Sequence, residues 1–264
     1  MIVDVQFSPG TNDWPRLLDA TLAAEAAGFG AAWVFDHLAG ASLGGDTMFE
    51  ATTLLGALAA ATLSIGLGTM VANVANREPG VLLVAIASAQ AIAGRPLLFG
   101  IGAGTSPASP FSAEQRAVGT AIAPLLAERH ARVERTLDLI DAMWAPDRSP
   151  AMATFPLPDP RPPVLVGVNS VALATIAGRR ADGINVRWSD PRRDELLGAA
   201  DRARGAAPGR PWIRTVWAPW SAALLDPGDD ERLGMARADV HRLVLVELGT
   251  VDPAVIAAAA PVHG

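Results

Sequence analysis

The feature that most constrains this chain is a rhythm. Short β-branched runs alternate with longer, alanine-rich stretches of helical spacing from one end to the other. Neighbouring parallel strands need a crossover between them, and a helix is the usual one, so this rhythm reads as a series of parallel βα units. Residues 2–7, 32–35, 65–71, 97–101, 164–168, 182–186, 213–218 and 243–247 read as the strands. The helices are expected from Pro15 to the stop at Gly28, and then at 48–61, 81–92, 128–144, 170–179, 194–204, 231–238 and 252–259. Residues 104–110 read as loop. Eight strand–helix pairs are the count of a closed (β/α)8 TIM barrel occupying residues 1–264 as one domain. Periodicity does not see closure, so a doubly wound open sheet stays as the alternative. The proline-rich stretch 146–163 reads as a surface connection and not as a linker between domains. The rhythm resumes at Val164, and neither half is long enough to close a barrel.

Composition narrows the chemistry. Half the residues are apolar, enough to fill a large core without staples. There is no cysteine, which excludes disulfides, a thiol nucleophile and cysteine-held zinc or iron–sulfur centres. All 21 basic residues are arginine, so Schiff-base lysines and lysine-dependent phosphate loops are excluded too. A net charge of −6 with no basic stripe argues against a nucleic-acid partner. The start carries Asp4 and no basic segment, and the longest apolar stretch, 81–92, is interrupted by Ser88 and Gln90. Neither reads as a signal peptide or a membrane span, and the expectation is a soluble, cytoplasmic protein.

Four clusters at strand ends carry candidate chemistry. Asp36-His37 follows the second strand, where a barrel residue faces the active-site mouth. Histidine titrates near neutrality, and an adjacent carboxylate can set its position and basicity. Gly100-Ile101-Gly102-Ala103-Gly104-Thr105 ends the fourth strand and would let backbone approach a ligand, although it lacks the helix and acid of a dinucleotide fingerprint. Gly167-Val168-Asn169-Ser170 leaves the fifth strand for a helix N-terminus, which serves either as a plain cap or as an anion site. Gly68 to Asn73, with Arg77 beyond, ends the third strand. His130, His241 and His263 read as structural or solvent-exposed, and no group has the spacing of a metal site.

In their order and spacing these residues resemble the luciferase-like flavin and deazaflavin oxidoreductases. The resemblance runs from Trp14-Pro15 through Glu25-Ala26-Ala27-Gly28-Phe29, Trp33-Val34-Phe35-Asp36-His37 and Phe49-Glu50 to Ile65-Gly66-Leu67-Gly68-Thr69. It continues through Arg77-Glu78-Pro79, Gly94-Arg95, Gly100 to Gly104, Pro162 to Gly167 and Ala181-Asp182-Gly183, and fades after about Asn185. The Asp-His pair looks like the branch that uses the deazaflavin coenzyme F420. That resemblance implies a hydride exchanged with a small-molecule substrate, Asp36 and His37 lying against the ring, His37 acting as acid or base, and Asp36 orienting His37 or contacting the ring. It implies a bulged, non-prolyl cis peptide at Met70-Val71 behind the ring. Ala103, Gly104 and Thr105 would contact the coenzyme, and Gly167, Val168, Asn169 and Ser170 would hold its phosphate. A homodimer is compatible with it. Thr105 stands where some sugar-phosphate dehydrogenases of the family carry an acid, and the segment before the fifth strand is shorter than usual. The alternatives are an FMN-dependent, two-component monooxygenase and a non-catalytic cofactor-binding protein of the same fold.

Overall fold

Eight parallel strands pair in sequence order, and β8 closes on β1. The strands are β1 (Ile2–Phe7), β2 (Ala31–Val34), β3 (Gly66–Asn73), β4 (Leu98–Gly102), β5 (Val164–Gly167), β6 (Gly183–Arg187), β7 (Ile213–Pro219) and β8 (Arg242–Glu247). The computed structural model describes residues 1–205 and 211–261, so His263 lies outside the described residues. The closed barrel excludes the open-sheet alternative. The strands fall within a residue or two of the expected runs. The marked exceptions follow from local chemistry.

The second helix, α2 (Ala51–Ala61), begins three residues later than expected. Glu50 is its N-cap, and the carboxylate accepts from the Thr53 amide at 2.7 Å. Its predecessor α1 (Trp14–Ala27) is capped by Asp13 and stopped by Gly28 at φ 87°, as its glycine suggests. The third helix, α3 (Pro79–Ala93), starts at Pro79, which gives up no hydrogen bond at that position. A short helix, α4 (Ser112–Ala117), follows the expected loop in a stretch to which the sequence assigned no element; its six residues carry too little apolar periodicity to announce it. It is followed by α5 (Leu126–Met143), α6 (Val171–Arg180), α7 (Arg193–Arg204), α8 (Asp230–Arg237) and α9 (Pro253–Ala258). The proline-rich connection is indeed a surface strap, held by Arg148, whose guanidinium donates to the carbonyls of Met143, Ala153, Phe155 and Pro156.

Alternation along the strands sorts side chains between two cores. Val3, Val5 and Phe7 of β1 face outward with Val34, Leu67, Phe99, Ile101, Val164 and Val166 into the layer against the helices. Trp33, Met70, Leu165, Val244 and Val246 face inward. Polar groups close the inside at its N-terminal end. Asp4 accepts from Trp33 Nε1 at 3.0 Å and takes a two-pronged pair from Arg242 at 2.8 and 2.7 Å. With that floor sealed, the barrel interior opens at the C-terminal ends of its strands. Among the described residues no helix is long and apolar enough to cross a membrane.

Candidate active site

The mouth is built around an irregularity in β3. Pairing with β4 slips by one residue between Thr69 and Ala72, and the two residues of the bulge, Met70 and Val71, are joined by a cis peptide bond. The cis bond expected at that position is therefore present. From β1, Gln6 Nε2 donates to the Met70 carbonyl at 2.7 Å and pins the bulge from inside the barrel. The Val71 side chain lies against the glycines of the next two strands. A Cβ on Gly102 would stand 2.5 Å from Val71 Cγ2, and one on Gly167 2.8 Å from Val71 Cγ1. These glycines serve close packing, and together with Val71 they make a flat, side-chain-poor wall. Phe35, Met70, Val71, Trp217 and Val246 belong to the same apolar cluster.

Asp36 and His37 stand at the edge of this wall, and they do different work. The expectation that Asp36 orients His37 is not what the structure shows. Its side chain is fully buried and takes two hydrogen bonds from Arg77, at 2.7 and 2.8 Å. It also accepts from the Asn73 amide at 2.7 Å and from Asn76 Nδ2. Arg77 in turn reaches Glu50 at 2.7 Å. Burial alone would lower the Arg77 pKa, but Asp36 and then Glu50 outweigh it and raise it. The triad ties the end of β2 to the loop after β3 and the start of α2. The reason is strand parity: Trp33 and Phe35 face inward, so Asp36 follows Val34 outward.

His37 is held instead by Glu114 of α4, a residue the sequence reading missed. Its Nδ1 lies 2.9 Å from Glu114 Oε1. The other oxygen, Oε2, accepts from the amides of Leu38 and Ala39 at 3.0 and 3.1 Å and from Ser42 Oγ at 2.7 Å. Burial would raise the Glu114 pKa, but the bonds from His37, Ser42 and Leu38 outweigh it and hold it below the usual carboxylate value. An ionised carboxylate only accepts, so Nδ1 carries the proton. The opposite nitrogen, Nε2, has no protein partner among the described residues, and the imidazole is about a quarter exposed. The Phe111 ring leans over it with centroids 5.4 Å apart.

Beyond β4, Gly104 is exposed with φ 75°, and Ala103 and Thr105 are half-buried. Beyond β5, Ser170 caps α6 by accepting from the Leu173 amide at 3.3 Å. Asn169 is exposed and Ser170 half-buried, and the amides of Asn169, Ser170 and Val171 have no protein acceptor among the described residues. Val168 departs from this group: its side chain is buried in the outer core and its amide donates to the Asn185 carbonyl at 2.9 Å. Arg192 donates to the Asn169 carbonyl at 2.8 Å and brings a cation to the loop. Behind it, buried His130 lies 3.3 Å from Ser170 Oγ, its pKa pushed down by burial and by Arg129. A second hollow, about 560 Å³, lies at the N-terminal end of the barrel beside Trp212 and His241. There Arg214 already pairs with Asp201 and Asp239.

The profile of the luciferase-like monooxygenases matches residues 3–231. The chain belongs to that family. An F420-dependent glucose-6-phosphate dehydrogenase of Beutenbergia cavernae is 33% identical over 180 residues, 64% of this chain and 52% of that protein. A protein of the same name from Microbacterium testaceum is 28% identical over 209 residues, 74% and 59% of the two chains. The chain thus spans about half the length of the curated relatives it matches. Among solved structures, the coenzyme F420-dependent tetrahydromethanopterin reductase of Methanopyrus kandleri superposes with a TM-score of 0.72 at 14% identity, over 99% of this chain and 97% of that one. The monooxygenase RslO1 of Streptomyces bottropensis does so with 0.72 at 17% identity, over 98% and 96%. At these identities the likeness is one of fold, the luciferase-like barrel.

Proposed function

We propose that this luciferase-like barrel is an oxidoreductase that uses coenzyme F420 to move a hydride to or from a small organic substrate. The observation that carries the reading is the placement of His37. It is a histidine with one nitrogen fixed by an ionised carboxylate and the other free, at the rim of a flat apolar wall. The names of the relatives favour the same coenzyme. The residues present fit it. The wall of Val71 and the glycines of β4 and β5 would back a planar ring, with Met70 and Val71 behind it and Ala103, Gly104 and Thr105 along its side. The unpartnered amides of Asn169, Ser170 and Val171, with Gly167 before them and Arg192 beside them, would hold a phosphate.

When bound, a deazaflavin supplies a carbon centre that gives or takes hydride and reacts poorly with oxygen. The chain supplies the proton. In oxidation His37 Nε2 would take the substrate's hydroxyl proton as hydride leaves the neighbouring carbon. In reduction it would return that proton to the oxygen. Asp36, Arg77 and Glu50 keep the loop in place, and the apolar neighbours exclude water. Thr105 offers no carboxyl at the coenzyme's side, so a sugar phosphate is not carried over as substrate.

Fluorescence quenching tests the coenzyme directly. Oxidised coenzyme F420 should bind with submicromolar affinity and FMN much more weakly. Tight FMN binding with none of the deazaflavin would sink the proposal. His37→Asn should leave coenzyme binding intact and remove turnover.

A further inference from the structure

We infer that Glu114 is the positioning residue that fixes which nitrogen of His37 faces the mouth, and that it does so by fixing the imidazole tautomer. The inference rests on the acid–base role proposed for His37 and adds what sets it. Four donors converge on the Glu114 carboxylate, and they divide unequally. Oε2 serves the Leu38 and Ala39 amides and the Ser42 hydroxyl, while Oε1 serves His37 alone. The two amides cannot become acceptors, so whatever atom stands at Oε2 must be an oxygen. The atom at Oε1 is then free to dictate the state of His37. While it is a carboxylate oxygen, Nδ1 donates and the neutral ring presents a bare Nε2 lone pair, the form a general base needs. Glu114 is 77 residues from His37 and lies on the short helix after β4. The same side chain therefore anchors that segment to the β2 loop through its three other bonds.

Glu114→Gln separates the two duties. The amide oxygen should take the Oε2 place, because only there does it meet three donors, and the loop stays anchored. The amide nitrogen then falls opposite Nδ1 and donates to it. Nδ1 must accept, the proton moves to Nε2, and the ring presents a donor where it had a lone pair. A carboxylate with only a structural role would leave the tautomer unaltered on this change.

The readout is the ¹⁵N spectrum of the four imidazoles of the ¹⁵N-histidine-labelled chain at alkaline pH, with His37 assigned from His37→Asn. In the wild-type chain His37 should show a protonated Nδ1 and a bare Nε2. In Glu114→Gln these signals should exchange, while the melting temperature and the quenching of coenzyme F420 stay near wild type. Glu114→Asp, which keeps the charge, should keep the wild-type pattern. If Glu114→Gln does not fold, the wild-type spectrum still decides, because a protonated Nε2 there overturns the inference. Retention of protonated Nδ1 in a folded Glu114→Gln overturns it as well. Turnover, once a substrate is in hand, should fall about 10²–10⁴-fold in kcat with KM little changed. Absence of coenzyme F420 binding alongside the expected spectra would sink the coenzyme proposal and leave the tautomer assignment standing.

Discussion

Replacing Arg77 by methionine tests whether the ion pair behind the site is structural. The Asp36 side chain is fully buried and that of Arg77 is 14% exposed, so the pair sits almost out of water. Methionine keeps much of the volume but leaves Asp36 charged, buried and short of two hydrogen bonds. Breaking a buried pair from one side costs about 3–5 kcal/mol, mostly the penalty of the stranded charge. A chain of 264 residues unfolds with an entropy of roughly 0.55 kcal/mol/K at about 2.1 cal/mol/K per residue, so the melting temperature should drop by about 5–10 °C. Asp36→Asn added to Arg77→Met should recover part of that loss, since the amide needs no counter-ion. The control is Asp138→Ala, which removes a 65%-exposed partner of Arg180 and should cost under about 1 kcal/mol. Differential scanning calorimetry supplies the numbers. If Arg77→Met melts within a degree of wild type, or no lower than Asp138→Ala, Asp36 is not a buried charge that depends on Arg77. The separation of roles between Asp36 and His37 would then fall with it.

Two further outcomes test the frame around the mouth. Gly102→Ala should destabilise by about 1–3 kcal/mol in urea, because its Cβ would stand 2.5 Å from a stiff valine methyl. Adding Val71→Ala should restore part of it, and failure to do so would show that the valine is not the obstacle. Glu25 accepts the amides of Leu63, Ser64 and Ile65 on one oxygen, and those bonds outweigh burial and lower its pKa from 4.5. A depressed carboxylate contributes stability that is full above its unfolded value and lost as pH falls through the folded one. The urea-midpoint gap between wild type and Glu25→Gln should therefore be open near neutrality and close as the pH falls below 4.5 and through the lowered folded-state value. A gap that widens in acid would refute the assignment.

What the sequence disclosed depended on whether a feature repeats along the chain or is made between distant segments. The strands were legible because β-branched runs of one period recur, and even the bulge at Met70-Val71 was flagged by resemblance. The Asp36-His37 pair was visible as a pair, but its division of labour was hidden in strand parity. Counting alternately from Trp33 through Phe35 would have sent Asp36 to the helix side. Glu114 left no signal of that kind. It sits on a six-residue helix with no apolar stripe, and its partner is 77 residues away. Val168 was grouped with its neighbours by adjacency, although the strand carries its side chain into the outer core.

The wedge of Val71 against the glycines of β4 and β5 also bears on how such a barrel can change. Any side chain at Gly102 or Gly167 collides with the valine, and Gly100 has the Thr69 carbonyl at 2.2 Å from a would-be Cβ. That sector of the rim is closed to substitution, one position at a time. The adjoining sector of the rim is built differently: Arg187 is exposed at the end of β6 and rests on half-buried Trp217 of β7. Variation that alters what the mouth accepts can therefore accumulate at Arg187 and its exposed surroundings without disturbing the wall. A mutagenesis library aimed at new substrates belongs on that side.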